Sequence, residues 1–219
     1  RIRGYGSVRG DSGRATLTLQ TNTGLTALNI TGLGYYISQI DINCASLGTS
    51  TGINHSGNYT TIEKVKVSNF TTVGITAANI ITLCDAEVTG GGGTAVGIVW
   101  AASSELKRCS VHGNSGIGIN VTGTGGVEDC EVYSNTGVGI AIPIGVACRN
   151  CLVANNSGAS SDGIQISYGC QVYNCTIHGN GRDGIRNSGG FNIATGILNN
   201  IITNNGGYGV NFTTAVNAQ

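Results

Sequence analysis

Apolar and polar residues alternate in short runs along the chain, and these runs recur in eight copies spaced 21 to 25 residues apart. Runs such as Ile119-Asn120-Val121 are typical of half-buried strands. Each copy contains a glycine followed by isoleucine or valine. These steps are Gly52-Ile53, Gly74-Ile75, Gly97-Ile98, Gly118-Ile119, Gly139-Ile140, Gly163-Ile164, Gly184-Ile185 and Gly209-Val210. The spacing predicts a repeat protein built from short strands.

Further columns of residues stay in phase with the glycine steps. One column holds Val65, Ala86, Cys109, Cys130, Cys151 and Cys175, and another holds Val67, Val88, Val111, Val132, Val153 and Ile177. Glycine and asparagine lie between the runs, as turns with positive φ require. One copy cannot bury its own apolar face, but stacked copies can, with equivalent strands ~4.8 Å apart. We therefore predict an all-β solenoid of parallel strands with about nine coils of 21–25 residues.

The repeat motif carries a resemblance to a known fold. The segment CSVHGNSGIGIN, which begins at Cys109, is echoed by CEVYSNTGVGIA from Cys130 and by CTIHGNGRDGIR from Cys175. These motifs resemble the right-handed parallel β-helix superfamily, the pectate-lyase-like solenoids. The resemblance implies a right-handed parallel β-helix over 25–219, preceded by an N-terminal cap and lead-in at 1–24. The opening IRGYGSVRGDSGRATLTL is similar to the lead-in of phage tailspike or fibre-type and environmental surface β-helix proteins.

The charge content narrows the choice of partners. Charged residues form only 10% of the chain, and 11 cations balance 11 anions. Nucleic-acid binding needs clustered cations that release counterions, so we expect no nucleic-acid partner. No apolar run reaches the ~18 residues that a membrane-spanning helix needs, so we predict no membrane span. The chain contains no methionine, which predicts a processed chain or a piece of a longer one.

Five of the eight cysteines lie in the apolar columns of the repeat. Four of them share one apolar column and Cys148 lies in another, so we expect free thiols that pack as small buried hydrophobes. Cys148 and Cys151 form a single CxxC pair whose spacing the repeat already explains. A structural zinc site needs four ligands in a tetrahedral arrangement. We therefore predict neither a metal site nor a cofactor.

Catalytic chemistry has one candidate pair of carboxylates. Asp162 and Asp183 each stand in an Asp-Gly-Ile step at equivalent positions of neighbouring coils. Two carboxylates so close raise one pKa, as a general acid requires, unless neighbouring cations keep both ionised. The expected glycan-binding residues form one polar patch with this pair: Arg182, Arg186, Gln165, Asn211 and Tyr208. The pair is therefore either catalytic or structural, and we favour ion pairs with the two arginines.

Three functions remain open at this point. The first is a structural and binding solenoid, a virion protein (tailspike, fibre or decoration) or a cell-surface protein, which binds a polysaccharide and forms a homo-oligomer or larger assembly. The second is the enzyme that the resemblance implies, a polysaccharide lyase, glycoside hydrolase or epimerase. The third is a secreted bacterial protein that binds glycans at the cell surface. The hydrolase motifs Asn-Thr-Asp, Asp-Asp and Gly-His-Gly are absent from the sequence, which favours the first.

Overall fold

The chain folds into three parallel β-sheets that wind around one core. The structure is a computed structural model, and it describes residues 2–3, 15–18, 24–46, 48–189 and 195–213. Within these residues each sheet contains nine strands, and strands one coil apart are neighbours. All strand pairings of the described residues are parallel. The predicted parallel β-helix of about nine coils is confirmed.

Every coil contributes one strand to each sheet in the same order. Sheet 1 consists of Ile2–Arg3, Tyr36–Ser38, Thr60–Glu63, Ile81–Cys84, Leu106–Lys107, Val127–Glu128, Ala147–Arg149, Gln171–Tyr173 and Gly196–Leu198. Sheet 2 consists of Ala15–Thr18, Ile40–Asn43, Lys66–Ser68, Glu87–Thr89, Ser110–His112, Glu131–Tyr133, Leu152–Ala154, Thr176–His178 and Ile201–Thr203. Sheet 3 consists of Leu25–Ile30, Ser50–His55, Val73–Asn79, Val96–Ala102, Ile119–Val121, Ile140–Ala141, Ile164–Ile166, Ile185–Asn187 and Val210–Phe212.

The predicted apolar columns form the core. Val111, Val132 and Val153 are paired in register in sheet 2, and all three are fully buried. Cys130 and Cys151 are also buried, and the structure contains eight free cysteines, all of them buried. Stacking places like side chains against each other one coil apart, so the interior is filled without a second layer of structure.

The corner from sheet 1 to sheet 2 turns at a single residue with positive φ. Asp129, Asn150 and Asn174 occupy this position in successive coils, each with φ of 54°. Asparagine and aspartate tolerate this left-handed conformation better than other residues that have a Cβ. The corner also turns the following residue, such as Cys130, back into the core.

The corner from sheet 2 to sheet 3 contains a buried ladder of asparagines. The side-chain Nδ2 atoms donate to Oδ1 of the asparagine one coil on, over distances of 2.8 to 3.0 Å. The asparagine ladder consists of Asn114, Asn135, Asn156, Asn180 and Asn205. Each of these side chains also donates to a backbone carbonyl of the preceding coil, as Asn135 does to Val111. The ladder therefore satisfies buried polar groups that the core would otherwise leave unpaired.

The glycines of the Gly–Ile steps are required by close packing. A Cβ atom at Gly139 would lie 2.6 Å from the backbone oxygen of Gly163 and 2.6 Å from Cγ1 of Val153. The expectation of positive φ holds at Gly113 and Gly179, where φ is 64° and 66°. It is wrong for Gly139 and Gly163, which do not have positive φ. There the glycine lets adjacent coils approach each other.

The N-terminal cap and lead-in predicted at 1–24 lie mostly outside the described residues. The two described parts pair with the solenoid, because Ile2–Arg3 joins Tyr36–Ser38 and Ala15–Thr18 joins Ile40–Asn43. A separate cap with a boundary at residue 24 stays a prediction. Within the described ranges, no helix has both the length and the apolar character needed to cross a membrane.

Candidate functional site

The two candidate carboxylates lie in the corner that leads into sheet 3. Asp162 precedes the strand Ile164–Ile166, and Asp183 precedes the strand Ile185–Asn187. Their positions are equivalent, since the carbonyl of Asp162 accepts from Gly139 and that of Asp183 accepts from Gly163. Both residues are buried, with exposed fractions of 0% and 1%. The corner therefore points these two acids inward, whereas a surface patch would expose them.

Asp162 is bound by one arginine in a bidentate arrangement. Arg182 donates from Nε to Oδ1 over 2.7 Å and from its terminal nitrogen to Oδ2 over 2.6 Å. The backbone N–H of Asp183 also donates to Oδ1 of Asp162, over 3.2 Å. The carboxylate of Asp162 in turn raises the pKa of Arg182 above its ordinary value. Two parallel bonds between charged groups are among the stronger hydrogen bonds in proteins.

Asp183 accepts from three different donors. Arg186 lies 3.1 Å from Oδ2, Asn211 donates to Oδ2 over 2.7 Å, and the backbone N–H of Tyr208 donates to Oδ1 over 2.8 Å. Burial alone would raise the pKa of Asp183. The hydrogen bonds from Tyr208, Asn211 and Arg186 outweigh burial and hold the pKa below its ordinary value. Asp183 is therefore stabilised as a carboxylate.

The remaining members of the predicted patch lie around Asp183 and on the outer face of sheet 3. Gln165, Arg186 and Asn211 are in register on three successive strands. The amide of Gln165 lies 3.5 Å from the hydroxyl of Ser188. The side chain of Tyr208 is exposed, and only its backbone reaches Asp183. The structure thus joins Asp162 to Arg182, and Asp183 to Arg186, Asn211 and Tyr208.

Three buried cysteines bring their sulfur atoms close together in the core. The sulfur atoms of Cys148, Cys151 and Cys175 lie within 4.8 Å of one another, and those of Cys148 and Cys175 are 4.0 Å apart. Hydrogen bonds with Cys151 and Cys175, together with burial, hold the pKa of Cys148 well above its ordinary value. Metal ligation requires thiolates, and zinc takes four ligands. The cluster therefore fits packed thiols better than a metal centre.

Sequence reasoning missed two shallow depressions along the turn from sheet 3 to sheet 1. The first has a volume of about 410 Å³, and the second about 220 Å³. The coil that contains Asn120 and Thr124 contributes residues to both. The first is lined by residues including Asn58, Asn79, Ala101, Ser103 and Thr124, and the second by residues including Asn120, Ala141, Pro143, Gln165, Ser167 and Ser188. We call them together the turn groove.

Among the described residues, exposed apolar side chains lie at three places in this turn. Leu33 and Tyr35 form the first, and the other two places lie beside the turn groove. Tyr59 and Ile80 are neighbours on adjacent coils, where the N–H of Tyr59 donates to the carbonyl of Ile80 over 2.7 Å. Ile144 and Tyr168 occupy one turn position on another pair of adjacent coils, and both are exposed. A sequence signal existed, because these apolar residues fall outside the repeating columns. Exposed aromatic and apolar side chains of this kind are typical of binding surfaces.

Comparison with known proteins supports the fold. The family described as a right handed beta helix region matches residues 51–196. No curated protein matches the chain by sequence. Among solved structures, the A-module of mannuronan C-5 epimerase AlgE4 from Azotobacter vinelandii is similar, with a TM-score of 0.60, 13% identity, and coverage of 94% of this chain and 81% of that chain.

Two further solved structures are similar at comparable levels. The periplasmic alginate epimerase AlgG has a TM-score of 0.57 and 15% identity, over 72% of this chain and 38% of that chain. Pectate lyase Pel9A has a TM-score of 0.56 and 12% identity, over 88% of this chain and 69% of that chain. At these identities the likeness concerns the fold. The chain spans well under half of the epimerase AlgG.

Proposed function

Because the chain belongs to the right-handed β-helix family, we propose that it is a structural rod that binds glycans and does not cleave them. The observation that carries this proposal is the state of Asp162 and Asp183, which are buried and bound to arginines. The fold is related to enzymes that act on polysaccharides, which supports a glycan as the partner.

The geometry of the two acids is unsuited to glycosidic chemistry. A hydrolase places two carboxyl groups on either side of the glycosidic bond, one of them protonated. A buried carboxylate cannot flank a substrate, and the lowered pKa of Asp183 opposes the protonated form. Arg182 and Arg186 are occupied as partners of these acids, so they support the corner. We assign glycan contact to the side chains around the two acids that reach solvent. These are Tyr208, Gln165 and the solvent-accessible parts of Arg186 and Asn211.

Product assays test the absence of catalysis. The protein would be incubated with acidic and neutral polysaccharides, and both reducing ends and unsaturated products would be measured. We expect no product from the wild-type protein. Product that disappears in a folded Asp162→Asn or Asp183→Asn variant would overturn the proposal and establish the lyase or hydrolase alternative. Product that survives both substitutions would also overturn it and place the chemistry elsewhere.

The location and assembly belong to the same proposal. We place the rod on a virion, as a tailspike, fibre or decoration protein, or at a cell surface; a secreted bacterial glycan-binding protein is the second candidate. The last described strand of sheet 2 exposes Ile201, and that of sheet 1 exposes Leu198, with exposed fractions of 61% and 59%. Either further chain or a partner subunit would cover such an edge, and we include a homo-oligomer or larger assembly in the proposal. Light scattering should give an oligomeric mass, and a monodisperse monomer at high concentration would contradict this part.

A further inference from the structure

We propose that the turn groove binds an uncharged polysaccharide that lies parallel to the axis of the solenoid. This inference rests on the proposed glycan-binding function and names the ligand class and the surface. It differs from the patch around Asp183, because it places the ligand on the turn from sheet 3 to sheet 1. Three features carry it: the charge of the lining, the exposed apolar side chains and the direction of the groove.

The lining of the groove carries no formal charge. All side chains that line the two depressions are amides, hydroxyls or apolar groups. An acidic polysaccharide would bring carboxylates to this surface and find no cation to replace their water. The hydroxyls of a neutral sugar would instead meet Asn79, Ser103, Thr124 and Gln165, which both donate and accept hydrogen bonds. Charge complementarity therefore selects an uncharged glycan.

The exposed side chains supply two apolar platforms. Tyr59 with Ile80 forms one, and Tyr168 with Ile144 forms the other. A tyrosine ring combines an apolar face with a hydroxyl that stays in water, and this combination suits the mixed surface of a sugar ring. The exposed fractions of Tyr59 and Tyr168 are 70% and 44%, so the side chains remain accessible.

The direction of the groove indicates a polymer. The turn positions of Tyr59 and Tyr168 are about five coils apart, which corresponds to ~24 Å at ~4.8 Å per coil. The two depressions lie between and beside these platforms and share one coil. A small ligand would fill one depression, whereas an extended chain would contact both platforms. The spacing thus favours a polysaccharide over a single sugar.

The second aromatic surface of the molecule is already occupied by internal contacts. On the outer face of sheet 2, the rings of His112 and Tyr133 stack with centroids 4.8 Å apart and planes inclined by 5°. His112 also contacts the hydroxyl of Thr89 over 3.2 Å and lies 3.5 Å from the carboxylate of Glu87. Because the two rings cover each other's faces, they present mainly their edges to a ligand. The tyrosines beside the turn groove are therefore better placed to stack on a sugar ring.

Binding measurements with matched tyrosine variants test the inference. The full chain would be titrated by calorimetry with a glucan, a mannan and a galactan, and with polygalacturonate and alginate as acidic probes. We expect at least one neutral polysaccharide to bind, and Tyr59→Ala and Tyr168→Ala each to weaken binding about tenfold, or about 1.4 kcal/mol. The matched control is Leu152→Ala, because Leu152 lies on the outer face of sheet 2, away from both candidate surfaces, and its exposed fraction of 39% is close to the 44% of Tyr168. This control should leave the affinity within about twofold, and added salt should have little effect.

The outcomes separate this inference from the proposed function. Two results would overturn binding at the turn groove but leave glycan binding as the function. The first is binding that is confined to the acidic probes. The second is binding that Tyr208→Ala and Arg186→Gln abolish but that Tyr59→Ala and Tyr168→Ala retain. Failure of all five polysaccharides to bind would overturn both. Circular dichroism of each variant checks the fold, which exposed tyrosines should not affect.

Discussion

Two edges of the same solenoid differ sharply in how their residues repeat. At the corner from sheet 2 to sheet 3, asparagine recurs in five coils, and each of the first four side chains donates a hydrogen bond to the asparagine one coil on. At the turn from sheet 3 to sheet 1, the equivalent positions hold unlike residues such as Tyr59, Ile80, Ser103 and Thr124. The first edge is buried, and the second is largely exposed to solvent.

This difference indicates which residues carry the fold and which are available for function. A repeated residue contacts its own copies, so its hydrogen bonds are used within the solenoid. A residue that breaks the repeat has no matching partner one coil away, and it meets solvent or a ligand. We therefore expect substitutions at the asparagine ladder to change stability, and substitutions at the turn groove to change binding.

The largest effect is expected at a glycine of the repeated edge. In Gly139→Ala, the new Cβ would lie 2.6 Å from the carbonyl oxygen of Gly163, which is backbone and cannot move aside cheaply. We expect a loss of about 3 kcal/mol or more in the free energy of unfolding, measured with denaturant. The matched control is Gly92→Ala, because nothing lies within 4 Å of a Cβ there and φ is not positive. Equal effects in both variants would contradict the packing account.

A smaller loss is expected in the asparagine ladder. Asn135→Ala removes the acceptor of the Asn114 backbone N–H, at 3.1 Å, and the donor to the Val111 carbonyl, at 3.1 Å. Buried groups left without partners should cost about 2 kcal/mol of unfolding free energy. The outward-facing Asn120, replaced by alanine, serves as the comparison and should cost under about 0.5 kcal/mol. A ladder variant as stable as wild type would show that the ladder contributes little.

The smallest effect concerns Asp183 and depends on pH. Its pKa is below the ordinary value in the folded state, so its stabilisation is fully present above the unfolded pKa of about 4. That stabilisation is lost as pH falls through the lower, folded pKa. Asp183→Asn should therefore cost about 1 kcal/mol at pH 7 and less at pH 3. An equal loss of unfolding free energy at pH 7 and at pH 3 would contradict the conclusion that Asp183 is ionised in the folded protein.

The repeat in the sequence was sufficient to predict the fold. Columns such as Val111, Val132 and Val153 repeat at intervals that only a stacked coil satisfies, so strands, core and buried thiols followed. The inward direction of Asp162 and Asp183 could not be predicted, because the corner before sheet 3 accepts both apolar and paired polar residues. The turn groove was also missed, since its shape depends on turns that do not repeat.

The affinity of the Asn135→Ala variant for a neutral polysaccharide, compared with that of Tyr168→Ala, tests the separation of the two edges most directly. Both would be measured by calorimetry under conditions where circular dichroism shows them folded. We predict that Asn135→Ala keeps the wild-type affinity within about twofold, while Tyr168→Ala loses about tenfold. Comparable losses in the two variants, or a loss confined to Asn135→Ala, would contradict the separation of fold and binding between these edges.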